Sequence, residues 1–310
     1  MSVEVFEDRV PAEWTECLAE FERSFFYPLG PGRRFRISHG GDALGFFRAI
    51  GPAARFVDRR GGELAGTIAA ARRAVVGPDG SETASAYFGD LKVAPGARGG
   101  GTLARLLKSA RDWASTGASA GYCVVMEGTS AVPDRYTGRL GLPALRPLAE
   151  IALFRLESAP PQAAGSPAPR ATDAAAHFAR LSRGAFAPRT GAAALRSELE
   201  PSWLALADGA ACGLLEDTRR VKRLWLDSGS ELASAHLSCF AYDSASSAAE
   251  MLRRAAAACP LPGLFAAVPQ SDAPAVERAL AGARFTVARA AVYGAGFPAG
   301  GRWLINTSEI

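Results

Sequence analysis

Apolar residues in this chain come in short runs that alternate with polar ones and are cut by turn dipeptides, a pattern of strands with helices between them. Arg55–Gly66 reads RFVDRRGGELAG, two strands across a Gly61-Gly62 turn, and Ser202–Gly213 reads SWLALADGAACG, two strands across Asp208-Gly209. The order predicted for the first half is a helix (Ala12–Phe25), this meander, a strand (Tyr87–Val93), a helix (Gly101–Ser115), a strand (Tyr122–Met126), a short helix and a last strand (Pro147–Leu156). The second half repeats it as Thr172–Ala185, the meander, His236–Tyr242, Ser247–Cys259, Leu264–Val268, a short helix and Phe285–Gly294. An early antiparallel meander with helices set among the later strands predicts an α+β fold, a mixed and mostly antiparallel sheet with flanking helices.

The repetition extends to residue identities. Asp79–Tyr87 (DGSETASAY) and Ser228–His236 (SGSELASAH) agree at six of nine positions, and an Arg pair follows each turn at the same offset, Arg72-Arg73 and Arg219-Arg220. Between the copies, Ser158–Arg170 (SAPPQAAGSPAPR) holds four prolines and no large apolar side chain, the composition of an extended linker. The expected organisation is an N-terminal copy over 1–157, a linker over 158–171 and a C-terminal copy over 172–310.

Composition narrows the class. The 310 residues are 48% hydrophobic and 21% charged, which excludes wholesale disorder. The net charge is only +4 and lysine occurs just at Lys92, Lys108 and Lys222, so neither half is a polybasic nucleic-acid module. MSVEVFEDRVPAEW has acids where a signal peptide needs a basic and then apolar start, and no run of 18 apolar residues predicts a membrane span. Cys17, Cys123, Cys212, Cys239 and Cys259 form no CxxC pair, and His39, His177 and His236 share no ligand spacing. These features predict a cytoplasmic protein with free thiols, no membrane partner and no metal.

One segment carries chemistry. Asp90–Ser109 reads DLKVAPGARGGGTLARLLKS, a strand ending at Val93, a stop at Pro95-Gly96, and Arg98-Gly99-Gly100-Gly101 running into a helix with Leu103, Leu106 and Leu107 on its apolar positions. Glycines at a helix start leave backbone N–H groups unobstructed, with the positive end of the helix dipole behind them, a seat for phosphate or pyrophosphate. Arg98 adds a fork of donors. Gly99–Ala104 also fits G-x-G-x-x-A, with Glu127 near the place of a ribose-binding acid, but the motif follows a meander and four residues separate strand from glycines. No GK[ST] follows, so a P-loop is excluded.

Val93-Ala94-Pro95, Arg98–Gly101 and the Leu-rich helix together resemble the signature of the Gcn5-related N-acetyltransferase superfamily, Q/R-x-x-G-x-G/A, with Arg98 and Gly101 in the first and fourth places and Leu103 where Gly or Ala is usual. Arg135–Leu142 (RYTGRLGL) resembles the stretch before that family's last strands. The resemblance implies two tandem copies of the acetyltransferase fold, the second degenerate, and an N-acyltransferase that takes acetyl-CoA or another acyl-CoA as substrate. It implies that Leu91, Lys92, Val93 and the Arg98–Leu103 loop, with Gly99, Gly100, Gly101 and Thr102, hold the donor, a backbone N–H of Leu91–Val93 polarising the acyl carbonyl. The acyl group would pass to the amine of a small molecule by direct attack, with Asp90 or Glu127 as general base and Tyr136 as general acid, one residue before the family's usual Tyr position at Thr137.

Two further readings share these residues: a transferase of the same fold fed by an aminoacyl-tRNA or a carrier protein, and a non-catalytic ligand-binding module. In the second copy Ser247, Ala249 and Glu250 stand opposite Arg98, Gly100 and Gly101, so it is expected not to bind CoA in the usual way and instead to complete the acceptor pocket or support the first copy. Arg33-Arg34-Phe35-Arg36 is expected to wall that pocket, and if Arg219–Arg223 faces the same groove, an anionic acceptor or tRNA follows.

Overall fold

The computed structural model describes residues 3–29, 32–139, 141–158 and 173–310. The proline-rich linker lies, apart from Ser158, outside the described residues.

In the first half, strand β1 (Glu4–Glu7) and helix α1 (Thr15–Arg23) precede β2 (Tyr27–Pro28), β3 (Arg34–Ser38) and the one-turn helix α2 (Gly45–Arg48). The meander follows as β4 (Ala53–Arg60), β5 (Glu63–Val76) and β6 (Glu82–Val93), then α3 (Thr102–Ser115), β7 (Ala120–Met126), α4 (Pro133–Tyr136) and β8 (Arg146–Glu157). The second half runs α5 (Ala174–Leu181), β9 (Ala187–Pro188), α6 (Ala193–Arg196), β10 (Ser202–Ala205), β11 (Ala211–Glu216), β12 (Arg223–Leu226), β13 (Ala235–Tyr242), α7 (Ala245–Ala258), β14 (Gly263–Pro269), α8 (Ala273–Ala279) and β15 (Phe285–Ala295). The expected α+β order holds in both halves.

The strands join one twelve-stranded sheet, in the order β1-β4-β5-β6-β7-β15-β8-β14-β13-β11-β10 with β9 on β5. The final strands are exchanged. β15 lies between β7 and β8, antiparallel to both, and β8 lies beside β14 of the second half. The cores follow the exchange: Ala290 and Val292 of β15 pack with Tyr87 and Tyr122, while Phe154 and Leu156 of β8 pack with Leu237 and Leu252. Each half therefore buries the other's last strand, which couples their folding.

A second, three-stranded sheet crosses the halves in the order β12-β3-β2, pairing Ile37 with Leu224 and Arg36 with Trp225. The two basic runs thus become neighbouring strands. Strand alternation turns Phe35, Ile37 and Leu224 toward the large cavity below, and Arg36 and Arg223 to the opposite face. Arg223 pairs there with Glu198 and Glu231, and Arg219 pairs with Asp217 and Glu198. The runs meet, but Arg219 and Arg223 pair with carboxylates instead of lining a groove for an anion.

Past β15, residues 303–309 are buried. Glu309 accepts from Arg73 Nη1 of β5 (2.8 Å), Arg196 Nη1 of α6 (3.0 Å), the Gly191 amide (3.0 Å) and Asn306 Nδ2 (2.9 Å), tying this segment to both halves. Arg196 also forks onto Glu216 at 2.8 and 2.9 Å. No described helix is long and apolar enough to cross a membrane.

Candidate active site

β6 and β7 are parallel, yet they pair only from Ser85↔Ala120 to Tyr87↔Tyr122. β6 continues to Val93 and β7 to Met126, so beyond Tyr87 the two strands splay and open a cleft between them. In the same stretch β6 bulges: Gly89 faces Ala69 and Lys92 faces Thr67, so Asp90 and Leu91 together stand opposite Ile68. Asp90 is left-handed, with φ +56°.

The glycine loop closes the outer end of this cleft. Pro95–Ala97 makes one 3-10 turn, and Gly101, at φ +83°, is the N-cap of α3 with no side-chain cap. No described protein group accepts from the amides of Gly99, Gly101, Thr102, Leu103 or Ala104. Four orphan N–H groups are usual at a helix start; here they stay uncapped beside a cavity. Gly100 serves a different purpose from its neighbours, since a Cβ there would lie 2.4 Å from the Arg60 guanidinium. Arg105 braces the loop from behind, forking onto Asp58 at 2.6 and 3.0 Å. Burial would raise the Asp58 carboxyl, but hydrogen bonds from Arg105 and Thr102 outweigh it and hold it low.

α3 has two working faces. Thr102, Leu106, Ala110 and Ala114 are buried, with Leu106 and Ala110 packed against Phe56 and Ile68, while Leu103, Leu107 and Arg111 line the cavity. Arg98, Arg135 and Arg139 stand at the same cavity, and no described carboxylate pairs with any of them. The cavity measures 1660 Å³, against ~300–1,000 Å³ for a drug-sized ligand site. It runs from the loop across Leu91, Lys92 and Val93 to Cys123, Leu153 and Phe265, and is roofed by the cross-half sheet. Both halves build it.

The proposed catalytic residues separate. Tyr136 lines the cavity, half-buried, its hydroxyl pushed up by burial and by neighbouring Cys123, so it stays protonated. Glu127 is exposed at the end of β7 and does not line the cavity. Asp90 lines it but is buried in an ion cluster: Arg55 Nη1 lies 2.8 Å away, the Lys92 ammonium touches it, and Glu22 and His39 lie beside them, 2.7 Å apart. Burial would raise Asp90, but Lys92, then Arg55 and His39, hold it far below the usual carboxylate range. Such a carboxylate is a poor proton acceptor. Glu22, His39 and Asp90 could each offer a metal ligand, but the two carboxylates already face two cations.

Sequence reasoning missed Lys222. It is buried at the roof of the cavity, over the Phe46 ring at 4.1 Å, and its ammonium donates to the Ile310 main-chain oxygen. Burial, with Arg196 adding, pushes its pKa down to about 7. The only signal in the sequence is a lone lysine among arginines, Arg219–Arg223.

The second half keeps the splay and loses the opening. α7 is capped by Ser244, whose side chain accepts from the Ser247 amide while Ser247 answers in a capping box, and Glu250 pairs with Arg254.

Sequence comparison finds no matching family and no matching curated protein. Comparison of structures does. The Saccharomyces cerevisiae N-myristoyltransferase with bound myristoyl-CoA and inhibitors superimposes with TM-score 0.64 at 10% identity, over 100% of this chain and 84% of that one. The chain has the fold of that N-myristoyltransferase. A second N-myristoyltransferase structure, with bound myristoyl-CoA, gives 0.63 at 12% identity over 100% and 83%. A probable N-acyltransferase from Enterococcus faecalis V583 gives 0.51 at 11% identity over 95% and 72%. At these identities the superpositions show the fold alone and leave the reaction to the site.

Proposed function

We propose that the protein transfers an acyl group from acyl-CoA to the amine of a small molecule, by direct attack without an acyl-enzyme. The observation that carries this is the uncapped amides of Gly99 and of Gly101 to Ala104 opening onto the β6–β7 splay. Pyrophosphate on those amides, with Arg98 beside it, points the pantetheine along the cleft toward the bulge. Arg135 and Arg139 offer further charge to the donor's phosphates. The size of the cavity and the myristoyl-CoA bound to the yeast neighbours favour acyl chains beyond acetyl among the donors to be tried. Apolar walls with a few convergent polar groups suit a small acceptor, and the pairing of Arg219 and Arg223 with carboxylates takes support from a tRNA donor.

Tyr136 is the proton donor to the departing thiolate in this reading, and neutral Lys222 takes the proton from the acceptor ammonium. Calorimetry with acetyl-CoA and longer acyl-CoAs, followed by thiol release over an amine panel, tests the whole reading. Binding without turnover on any amine would favour the ligand-binding module; no binding would end the proposal.

Two predictions arise at these residues. Tyr136→Phe should lower kcat roughly 100-fold with little change in the acyl-CoA KM, read by thiol release. A base whose pKa is about 7 is active only above it, so kcat should rise with pH through that value. Lys222→Met should abolish that rise; a Met variant with the wild-type pH profile refutes the assignment.

A further inference from the structure

The second half builds the end of the cavity that lies away from the glycine loop. Leu224, His236, Phe265 and Thr307 wall it, with Leu153 of the exchanged strand β8 and Ala288 of β15. β13 leaves β14 after His236↔Phe265, and the chain itself fills that splay. The amide of Cys239, left-handed at φ +47° as Asp90 is at +56°, donates to Asn306 Oδ1 at 2.7 Å, and Ser238 meets Ser308 at 2.7 Å. Asn306 is held in turn by Glu309. His236 stands where this plug meets the cavity, and nothing in the reaction has yet used it. At its repeat position the first half has Tyr87, stacked on Phe47.

All but one edge of the His236 ring is accounted for. The ring is buried and lies along Phe265, with centroids 5.6 Å apart and 25° between the planes. Nδ1 meets Thr307 Oγ1 at 2.9 Å. The Thr307 hydroxyl gives its one hydrogen to the Phe265 carbonyl at 3.4 Å and turns a lone pair to the ring. The hydrogen-bond network therefore assigns the ring hydrogen to Nδ1 and leaves Nε2 a bare acceptor. No described group donates to Nε2, which opens on the cavity. Burial, with Lys222 adding, holds the ring down at about 3, so it stays neutral.

Charge supplies the second observation. Asp90 is the only side-chain carboxylate among the described walls of the cavity, and Lys92 and Arg55 hold it. The Ile310 main-chain oxygen is taken by Lys222. The amine that reacts sheds its charge before it attacks. A second ammonium on the same molecule would keep its charge where no carboxylate is free to meet it, and burying an unpaired ion costs far more than burying a hydrogen-bonded hydroxyl. We infer that the acceptor is a monoamine whose apolar body carries an uncharged hydroxyl or N–H, and that His236 Nε2 accepts from that group and so selects the substrate. This rests on the acyl-CoA reading above and names the acceptor class for it.

Four amines that differ at one end make the test: hexylamine, aminohexanol, the methyl ether of aminohexanol, and hexanediamine. Calorimetry on the whole protein, with and without CoA, reads their affinities. Aminohexanol should bind about tenfold more tightly than hexylamine, the worth of one neutral hydrogen bond. The ether, which accepts but cannot donate, should gain nothing over hexylamine, and hexanediamine should bind most weakly. In protein labelled with ¹⁵N-histidine, aminohexanol should shift the His236 Nε2 resonance and hexylamine should leave it; its loss in His236→Gln identifies the signal. His236→Phe, which keeps the ring on Phe265, should erase the preference for aminohexanol, while His236→Gln, which retains an acceptor oxygen, should keep part of it. An unmoved His236 signal in the wild type overturns the inference whether or not the Phe variant folds. So do equal affinities for hexylamine and aminohexanol, tightest binding of hexanediamine, or no binding of any of the four. If the ranking holds and acyl-CoA does not bind, the acyl-CoA reading falls and His236 remains the selector of an amine site.

Discussion

Gly101→Glu should raise the Kd for acyl-CoA at least 100-fold. Three effects add. The residue sits at φ +83°, where a side chain costs about 1–2 kcal/mol. Its Cβ would lie 3.1 Å from Arg105 Nη1, crowding the brace that holds the loop. Most of the loss comes from placing a carboxylate on the uncapped amides, where it repels the pyrophosphate and competes for donors whose charge-assisted bonds contribute about 1.5–3 kcal/mol each. A total near 3 kcal/mol is about 100-fold. The second half carries Glu250 at this repeat position, so the change imports the residue of the copy whose helix start is closed. Gly99→Ala is the control: its φ of +76° brings the same backbone cost, but nothing lies within 4 Å of the new Cβ. It should weaken binding about tenfold or less. Calorimetry on both, with circular dichroism to confirm folding, decides; equal affinity in the Glu variant and wild type contradicts the loop as the pyrophosphate seat.

Glu309→Gln should cost about 3–5 kcal/mol of stability, the range for breaking a buried pair and leaving charge uncompensated. Glu309 is buried between Arg73 and Arg196, and Arg73 has no other carboxylate among the described residues. The same group predicts an acid transition. Burial would raise its carboxyl, but Arg73 and Arg196 hold it down at about 2, against 4.5 unpaired. Because the folded pKa is the lower one, its contribution is complete above pH 4.5 and is lost as pH falls toward 2. Across that window the loss is about 3 kcal/mol. Urea melts at pH 7 and pH 3 should show a smaller difference for the Gln variant than for wild type. Matching slopes would mean Glu309 does not carry the acid sensitivity. The variant should also loosen Asn306, and with it the segment that fills the second cleft.

What could be read in the sequence was local. Gly99–Gly101 before a leucine-spaced helix pointed to the proposed anion seat, because free amides at a helix start follow from chain chemistry alone. The Asp79–Tyr87 and Ser228–His236 match carried the repeat, and its offset of 149 residues aligns Asp90 with Cys239, which share their backbone twist. Asp90 was read as a candidate base, and its burial against Arg55, which lies two strands away, could not be read from the DLK motif. Glu127 followed a spacing rule, yet the strand end it occupies faces solvent.

The sequence alone settled that two related copies exist and what elements each contains, and it singled out the glycine loop proposed here as the phosphate seat. Tertiary structure alone decided that the copies trade their last strands, that β3 pairs with β12 over the cavity, that residues 306–309 fill one cleft and leave the other open, and that Lys222 turns inward. The physical reason is that alternation and capping act over a few residues, whereas strand neighbours and buried ion partners more than 100 residues apart are chosen by the burial of the whole sheet.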